Sequence, residues 1–312
     1  MNHSFSKRNV RSVKIIRHPS KGQLHRPVVA LGTFDGVHLG HRRVIEAAVA
    51  YARKIGAHSA AITFDPHPQA IVAPDRGLKL LTTLAEREAL LAELGVDSVI
   101  VSRFTPQLRK LSYRQYVERY LVKKLGVRAV FIGYDYALGK GRSGSATALK
   151  KLGEEHGFEV HVIPPVKVRG RIVKSGLIRE LLCGGDFKPA YTLLDHPYRL
   201  TGKVVKGKGI GGRVLGFPTA NLKLDPGKLI PAPGVYCGLI DGRKCAVNIG
   251  FQPTFGKNVQ LVEAHLLDFS GRLLGRTLAV DLYCRLRGER RFREVAQLKV
   301  QIKKDIARLR RM

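Results

Sequence analysis

No apolar run in this 312-residue chain approaches the roughly 20 residues that a membrane-spanning helix requires, so no transmembrane helix is expected. Cysteine is absent from the first 180 residues, and the four present (Cys183, Cys237, Cys245 and Cys284) form no CxxC pair. That argues against a zinc ribbon or a dithiol redox motif. Buried free thiols in a reducing cytoplasm are the expectation. Acidic residues are scarce: 24 Asp and Glu stand against 55 Lys and Arg, a formal net charge of +31. The first 200 residues carry 33 basic and 16 acidic groups and the remainder 22 and 8, so no single tail holds the excess. Such a surface attracts polyanions. No zinc finger or RNP-type aromatic motif accompanies it, and no specific nucleic-acid partner is expected. Residues 1–26 contain no Asp or Glu, a composition shared with organelle transit peptides. Val10–Ile16 nevertheless alternates like the beginning of a strand, which favours a folded segment.

The length suffices for two domains with separate cores. Strand-like runs at residues 28–34, 60–64, 98–102, 129–133 and 159–163 alternate with helical spacing at 42–54, 83–94, 113–125 and 146–156. Long helices between strands imply crossover connections, hence an α/β nucleotide-binding domain with a mostly parallel sheet. After Leu194-Asp-His-Pro-Tyr198 the pattern changes. Short alternating strands at 198–205, 235–240, 244–249, 259–267 and 277–286, set off by Gly- and Pro-rich turns, predict a small antiparallel β-barrel. An amphipathic helix follows from about Phe292 to the C-terminus, with Phe292, Val295, Leu298, Ile302 and Leu309 on its apolar side. The expected division is residues 1–196 and 197–312.

The segment Gly32-Thr-Phe-Asp-Gly-Val-His-Leu-Gly-His41 lies where the first strand hands over to a helix. Spaced i and i+3, His38 and His41 can address one ligand. The helix N-terminus adds unpaired N–H groups and partial positive charge. Gly36 and Gly40 let phosphate approach the backbone. That set suits in-line attack on a nucleotide phosphorus with no protein nucleophile. A capping or core histidine pair is the bland alternative. HExxH is absent, and no third zinc ligand is evident.

In the second half, Gly207, Gly209 and Gly212 match GxGxxG formally, with Gly211 between, but Gly216-Phe-Pro218 prevents a helix from opening there. No Walker motif is present. Mg²⁺ prefers oxygen ligands and shares its shell with substrate phosphates. Thr219 and Asn221, two apart in an extended segment, project to one side and can each supply an oxygen. A kinase also needs a base for the attacking hydroxyl. Glu263 stands on a predicted strand with Val262, Ala264 and Leu266 facing the other way.

The first segment resembles the HxGH nucleotidyltransferases, and in detail the bacterial bifunctional riboflavin kinase/FAD synthetases. Thr63-Phe-Asp-Pro-His-Pro68, Gly133-Tyr-Asp-Tyr-Ala-Leu-Gly139 and Ile178-Arg179 match that family in order. So do Gly202–Asn221, Pro233-Gly-Val-Tyr236, Asn248–Phe255, Glu263–Phe269 and Leu286-Arg287…Phe292, end to end through the kinase module. The resemblance implies that riboflavin is phosphorylated to FMN in the barrel and that FMN is adenylylated to FAD in the α/β domain. Both steps would use Mg²⁺–ATP. His38 and His41 would contact ATP phosphates within a loop formed by Gly32, Thr33, Phe34, Asp35, Gly36 and Gly40. Asp135, Ser175 and Arg179 would complete that nucleotide site, and Phe64, Pro66 and His67 would border the flavin. Thr219 and Asn221 would hold Mg²⁺–ATP beside Gly207, Gly209, Gly211 and Gly212. Glu263 would be the base on the ribityl 5′-hydroxyl, with Arg287 near the flavin.

The family pattern Ser-Ser-Thr-x-Ile-Arg is replaced here by Lys174-Ser-Gly-Leu-Ile-Arg179, which removes a hydroxyl at Gly176. Two other readings therefore stay open: a riboflavin kinase with a degenerate first domain, and a basic nucleic-acid-binding protein on a nucleotidyltransferase fold.

Overall fold

The computed structural model describes residues 13–17, 19–207, 217–254 and 257–312. The chain folds into two compact units. One comprises the chain up to Leu78 with Leu84–Lys174; the other comprises Lys79–Thr83 and Ser175–Met312.

In the first unit, β1 (Lys14–Ile16), β2 (Val28–Leu31), β3 (Ser59–Asp65), β4 (Ser98–Arg103), β5 (Ala129–Gly133) and β6 (Glu159–Ile163) form one sheet. All its pairings are parallel, in the order β1-β4-β3-β2-β5-β6. Every residue of β2 is buried, as a sheet covered on both faces requires. Val29 and Leu31 enter one core and Val28 and Ala30 the other, because successive side chains point to opposite faces. The helices are α1 (Leu39–Lys54), α2 (Pro68–Val72), α3 (Leu84–Glu93), α4 (Pro106–Lys110), α5 (Tyr113–Tyr116), which continues as a π-helix over Val117–Lys124, and α6 (Ala146–His156). α1 buries Val44, Ile45, Ala48, Val49 and Ala52. Each large apolar side chain buried contributes about 1.5–3 kcal/mol. Propensity differences between ordinary helix residues stay below about 1 kcal/mol. The buried face therefore decides where α1 lies. A short hairpin, β7 (Lys167–Val168) and β8 (Arg171–Ile172), follows.

The chain leaves β2 for β3 and β4 on one side, then returns to β5 on the other. In open α/β sheets this reversal opens a crevice at the carboxyl ends of the strands. The loops after β3, β2 and β5 therefore share one end of the sheet.

The second unit is a closed antiparallel barrel. β9 (Tyr198–Val205), β10 (Ala220–Leu224), β11 (Gly234–Ile240), β12 (Arg243–Thr254), β13 (Lys257–Leu266) and β14 (Thr277–Gly288) run in the order β10-β13-β12-β11-β14-β9. Ala220, Ala264, Val247 and Tyr236 are paired in register across four strands and buried inside. Arg199 and Asp281, also register partners, are joined by two hydrogen bonds of 2.7 and 2.8 Å. Three further helices belong to this unit: α7 (Ser175–Gly184), α8 (Phe187–Leu194) and α9 (Val295–Arg311). Phe187 of α8 packs edge-on to Tyr236, with centroids 5.4 Å apart.

Two expectations require correction. Cys237 and Cys284 are bonded to each other rather than free, because register places them opposite on β11 and β14 with Cα atoms 5.3 Å apart. Cys183 is exposed, which leaves Cys245 as the buried free thiol, its pKa raised by burial to about 12. On α9, Val295 is 52% exposed at the start of the helix, outside the apolar side assigned to it.

Candidate active sites

The first site begins where β2 ends. Thr63 Oγ1 donates to Thr33 O at 2.8 Å, tying the ends of β2 and β3 together. The chain then passes through left-handed backbone at Phe34 (φ 51°), Gly36 (φ 86°) and Val37 (φ 36°). A β-branched residue with positive φ is a genuine outlier, and such strain gathers at functional sites. Gly32, Phe34, Asp35, Gly36 and Val37 are all buried, and Thr33 partly so. His38 is the N-cap of α1, with Nδ1 accepting from His41 N–H at 3.3 Å. The bland reading of a capping histidine is thus correct for this contact, and the pair also stacks. The His38 and His41 rings lie 3.6 Å apart at 16°, and Phe34 meets His41 edge-on. A Cβ on Gly40 would crowd the His38 ring at 3.2 Å. The α1 N-terminus, with no acidic side chain in its first turn, faces an anion favourably.

After β3, Phe64 and His67 are buried while Pro66 is exposed. Phe64 packs edge-on to Phe104, and His67 caps α2 by accepting from Gln69 N–H. After β5, exposed Asp135 lies 3.9 Å from Lys174 Nζ. Tyr134, whose ring Lys174 Nζ overlies at 5.7 Å, and then Asp135 raise the Lys174 pKa. Lys174 therefore stays cationic at the position where a hydroxyl was expected. Ser175 and Arg179 begin α7 and are grouped with the second unit, where Arg179 Nε donates to Lys79 O at 2.8 Å.

The barrel site is set by register. Asn221 pairs with Glu263, Glu263 with Asn248, Asn248 with Val235, and Val235 with Arg287. Paired residues share a face, so these five form one row across five strands, opposite in parity to the buried interior row. All five line a cavity of about 1410 Å³ on the outer face of the barrel, as do Thr219 and Gly207. A pocket for one drug-sized ligand occupies about 300–1,000 Å³, so there is room for a substrate pair. A Cβ on Gly207 would meet the Asn221 amide, which would have to shift to admit it. Gly209, Gly211 and Gly212 lie outside the described residues.

Three contributors had not been anticipated from sequence. Asn248 stands between buried Val247 and Ile249, an alternation that could have exposed it. Asp305 on α9 accepts from Arg287 Nε at 2.9 Å and from Gln301 at 2.8 Å. It is the lone acid in a strongly basic helix, which is a readable signal. His265 Nδ1 meets Pro218 O at 2.8 Å, and its ring packs edge-on to Phe217, steadying the approach to Thr219.

A family model described as FAD synthetase matches residues 20–177, and one described as riboflavin kinase matches residues 194–312. A bifunctional riboflavin kinase/FMN adenylyltransferase of Escherichia coli (strain K12) is 35% identical, over 89% of this chain and 90% of its own. The Pseudomonas fluorescens protein of the same description is 37% identical over 92% and 93%. The chain belongs to the bifunctional riboflavin kinase/FMN adenylyltransferase family. As a member it phosphorylates riboflavin to FMN with ATP and adenylylates FMN to FAD with release of pyrophosphate. A solved Streptococcus pneumoniae structure described as a macrolide-efflux protein superposes with a TM-score of 0.85 at 28% identity, covering 96% of this chain and 100% of that one. Among the described residues here, no helix is long and apolar enough to cross a membrane.

Proposed function

We propose that the two reactions run at the two sites described, with the adenylyl-transfer step assigned to residues 1–196, the kinase step to residues 197–312, and the cytoplasm as their setting. The observation that carries the kinase assignment is the five-strand row ending in Asn221 and Arg287, with Glu263 and Asn248 between. Glu263 accepts the proton of the ribityl 5′-hydroxyl as that oxygen attacks the γ-phosphorus of ATP and ADP leaves. The hydroxyl of Thr219 and the amide oxygen of Asn221 suit Mg²⁺, and Gly207 keeps the space beside them open. When bound, Mg²⁺ supplies positive charge to the transferring phosphate. Arg287, held by Asp305, and the apolar side chains of Leu298, Ile302 and Ile306 offer a wall for the flavin ring.

In the first unit, a phosphate oxygen of FMN attacks the α-phosphorus of ATP and pyrophosphate leaves. His38, His41 and the N–H groups opening α1 stabilise the charge that develops on the phosphate oxygens. Asp135 serves the nucleotide. Phe64, Pro66 and His67 border the flavin. Support comes from the convergence of the β2, β3 and β5 loops at the switch point of the sheet.

Chromatography of products from riboflavin with Mg²⁺–ATP tests the whole reading: FMN should appear first and FAD after it. FMN accumulating with no FAD, even from added FMN and ATP, would favour the kinase-only reading, which the Lys174-Ser-Gly176 segment motivates.

A further inference from the structure

Arg87 on α3 is fully buried, an unusual place for a side chain that stays charged in proteins. Burial opposes its charge, while Asp35, Asp65 and Glu88 favour it. Its Nη1 donates to Thr33 O at 3.1 Å, Thr63 Oγ1 at 2.9 Å and Phe64 O at 3.0 Å. Nε and Nη2 meet no hydrogen-bond acceptor among the described residues. An apolar side chain of similar length would fill the same space without desolvating a charge or leaving donors unmet. What it could not do is bind two strand ends at once. Thr33 opens the loop to His38 and His41, and Phe64 opens the turn to Pro66 and His67.

We propose that Arg87 is a positioning residue for adenylyl transfer. It holds the carboxyl ends of β2 and β3 at a fixed separation, so that the nucleotide loop and the flavin-side turn present their substrates in line. Closed off from solvent, it touches neither substrate and acts through the backbone of Thr33 and Phe64. All three bonds come from Nη1; lysine would retain the charge and three donors, but on a flexible stem without the rigid guanidinium plane that aims Nη1 at both strand ends. A misplacement near 1 Å costs on the order of 10²-fold in rate even when both substrates still bind.

The proposal rests on the first unit being the adenylyl-transfer site, and the two can fail separately. Arg87→Met and Arg87→Lys are compared with wild type and His38→Ala for FAD formation from FMN and ATP. FAD binding is counted by flavin-fluorescence quenching, and riboflavin phosphorylation is followed in the same chains. The expected result for Arg87→Met is turnover reduced by about 10- to 100-fold. KM for FMN and ATP should change much less, one FAD should still bind per chain, and the kinase should be untouched. Arg87→Lys should fall between Met and wild type. Wild-type turnover in Arg87→Met overturns the proposal. So does a Lys variant whose rate loss is matched by loss of FAD-binding chains, the signature of a residue needed only for folding. If Arg87→Met binds no FAD, the Lys variant decides: stoichiometric binding with reduced turnover supports positioning, and full turnover overturns it. If His38→Ala still makes FAD at the wild-type rate, the site assignment itself is wrong.

Discussion

In the barrel unit, the proposed functional residues Asn221, Glu263 and Arg287 sit on strands, and hydrogen-bond register fixes their spacing. In the α/β unit, His38, His41, Phe64 and Asp135 sit on or beside turns, where backbone conformation and a buried arginine do that work. A ladder holds a row of side chains at no cost beyond the sheet itself. A turn through left-handed Phe34 and Val37 carries strain that its surroundings must absorb. The barrel site should therefore fail through loss of a single functional group. The α/β site should be sensitive also to residues that never meet substrate.

The largest effect is expected at Asn221. Asn221→Ala removes an oxygen from the proposed Mg²⁺–ATP position and should take FMN formation to background, while FMN adenylylation continues; a rate assay of each half-reaction checks both. Next comes Glu263→Gln, which keeps the shape but cannot accept a proton. Kinase turnover should fall about 10²–10⁴-fold with little change in ATP affinity, and a loss under about tenfold would reduce Glu263 to an ordinary strand residue. Gly207→Ala tests whether register alone is enough. Its Cβ must displace the Asn221 amide, and overpacking strain of about 1–3 kcal/mol corresponds to a kinase loss of roughly 5- to 150-fold. Kinetics at wild-type level would mean that the amide can move freely. The smallest effect is a gain. Lys174→Ser with Gly176→Thr should raise FAD formation a few-fold by restoring hydroxyls to the phosphate, and a Cβ at Gly176 meets nothing within 4 Å. A decrease would show that Lys174, held beside Tyr134 and Asp135, is already a working substitute.

Periodic features were legible in the sequence, and features set by tertiary contact were not. The alternation of β9 and the runs of β5, α6 and β6 appear at their expected residues. Val262, Ala264 and Leu266 face inward from β13 as expected, which leaves Glu263 on the other face. β10 was read only as an extended site segment, because Thr-Ala-Asn-Leu lacks the β-branched density of its neighbours. α7 and α8 went unread beside the change of pattern at residue 194. Nothing local marks Phe34 or Val37 as left-handed, since bulky and β-branched residues argue the opposite. Arg87 on a charged helix reads as a solvated side chain, and only the fold turns it inward. The Cys237–Cys284 pairing depends on the register between β11 and β14, which spacing in the chain does not reveal.

If the two proposed sites work independently, a mixing experiment is decisive. Glu263→Gln retains the first unit and His38→Ala retains the barrel, so either variant alone should carry riboflavin through to FAD at only a small fraction of the wild-type rate. Mixed together with riboflavin and Mg²⁺–ATP, one supplies FMN and the other adenylylates it, and FAD should accumulate. A mixture that makes no more FAD than either variant alone, or a single variant that loses both half-reactions, would contradict the account.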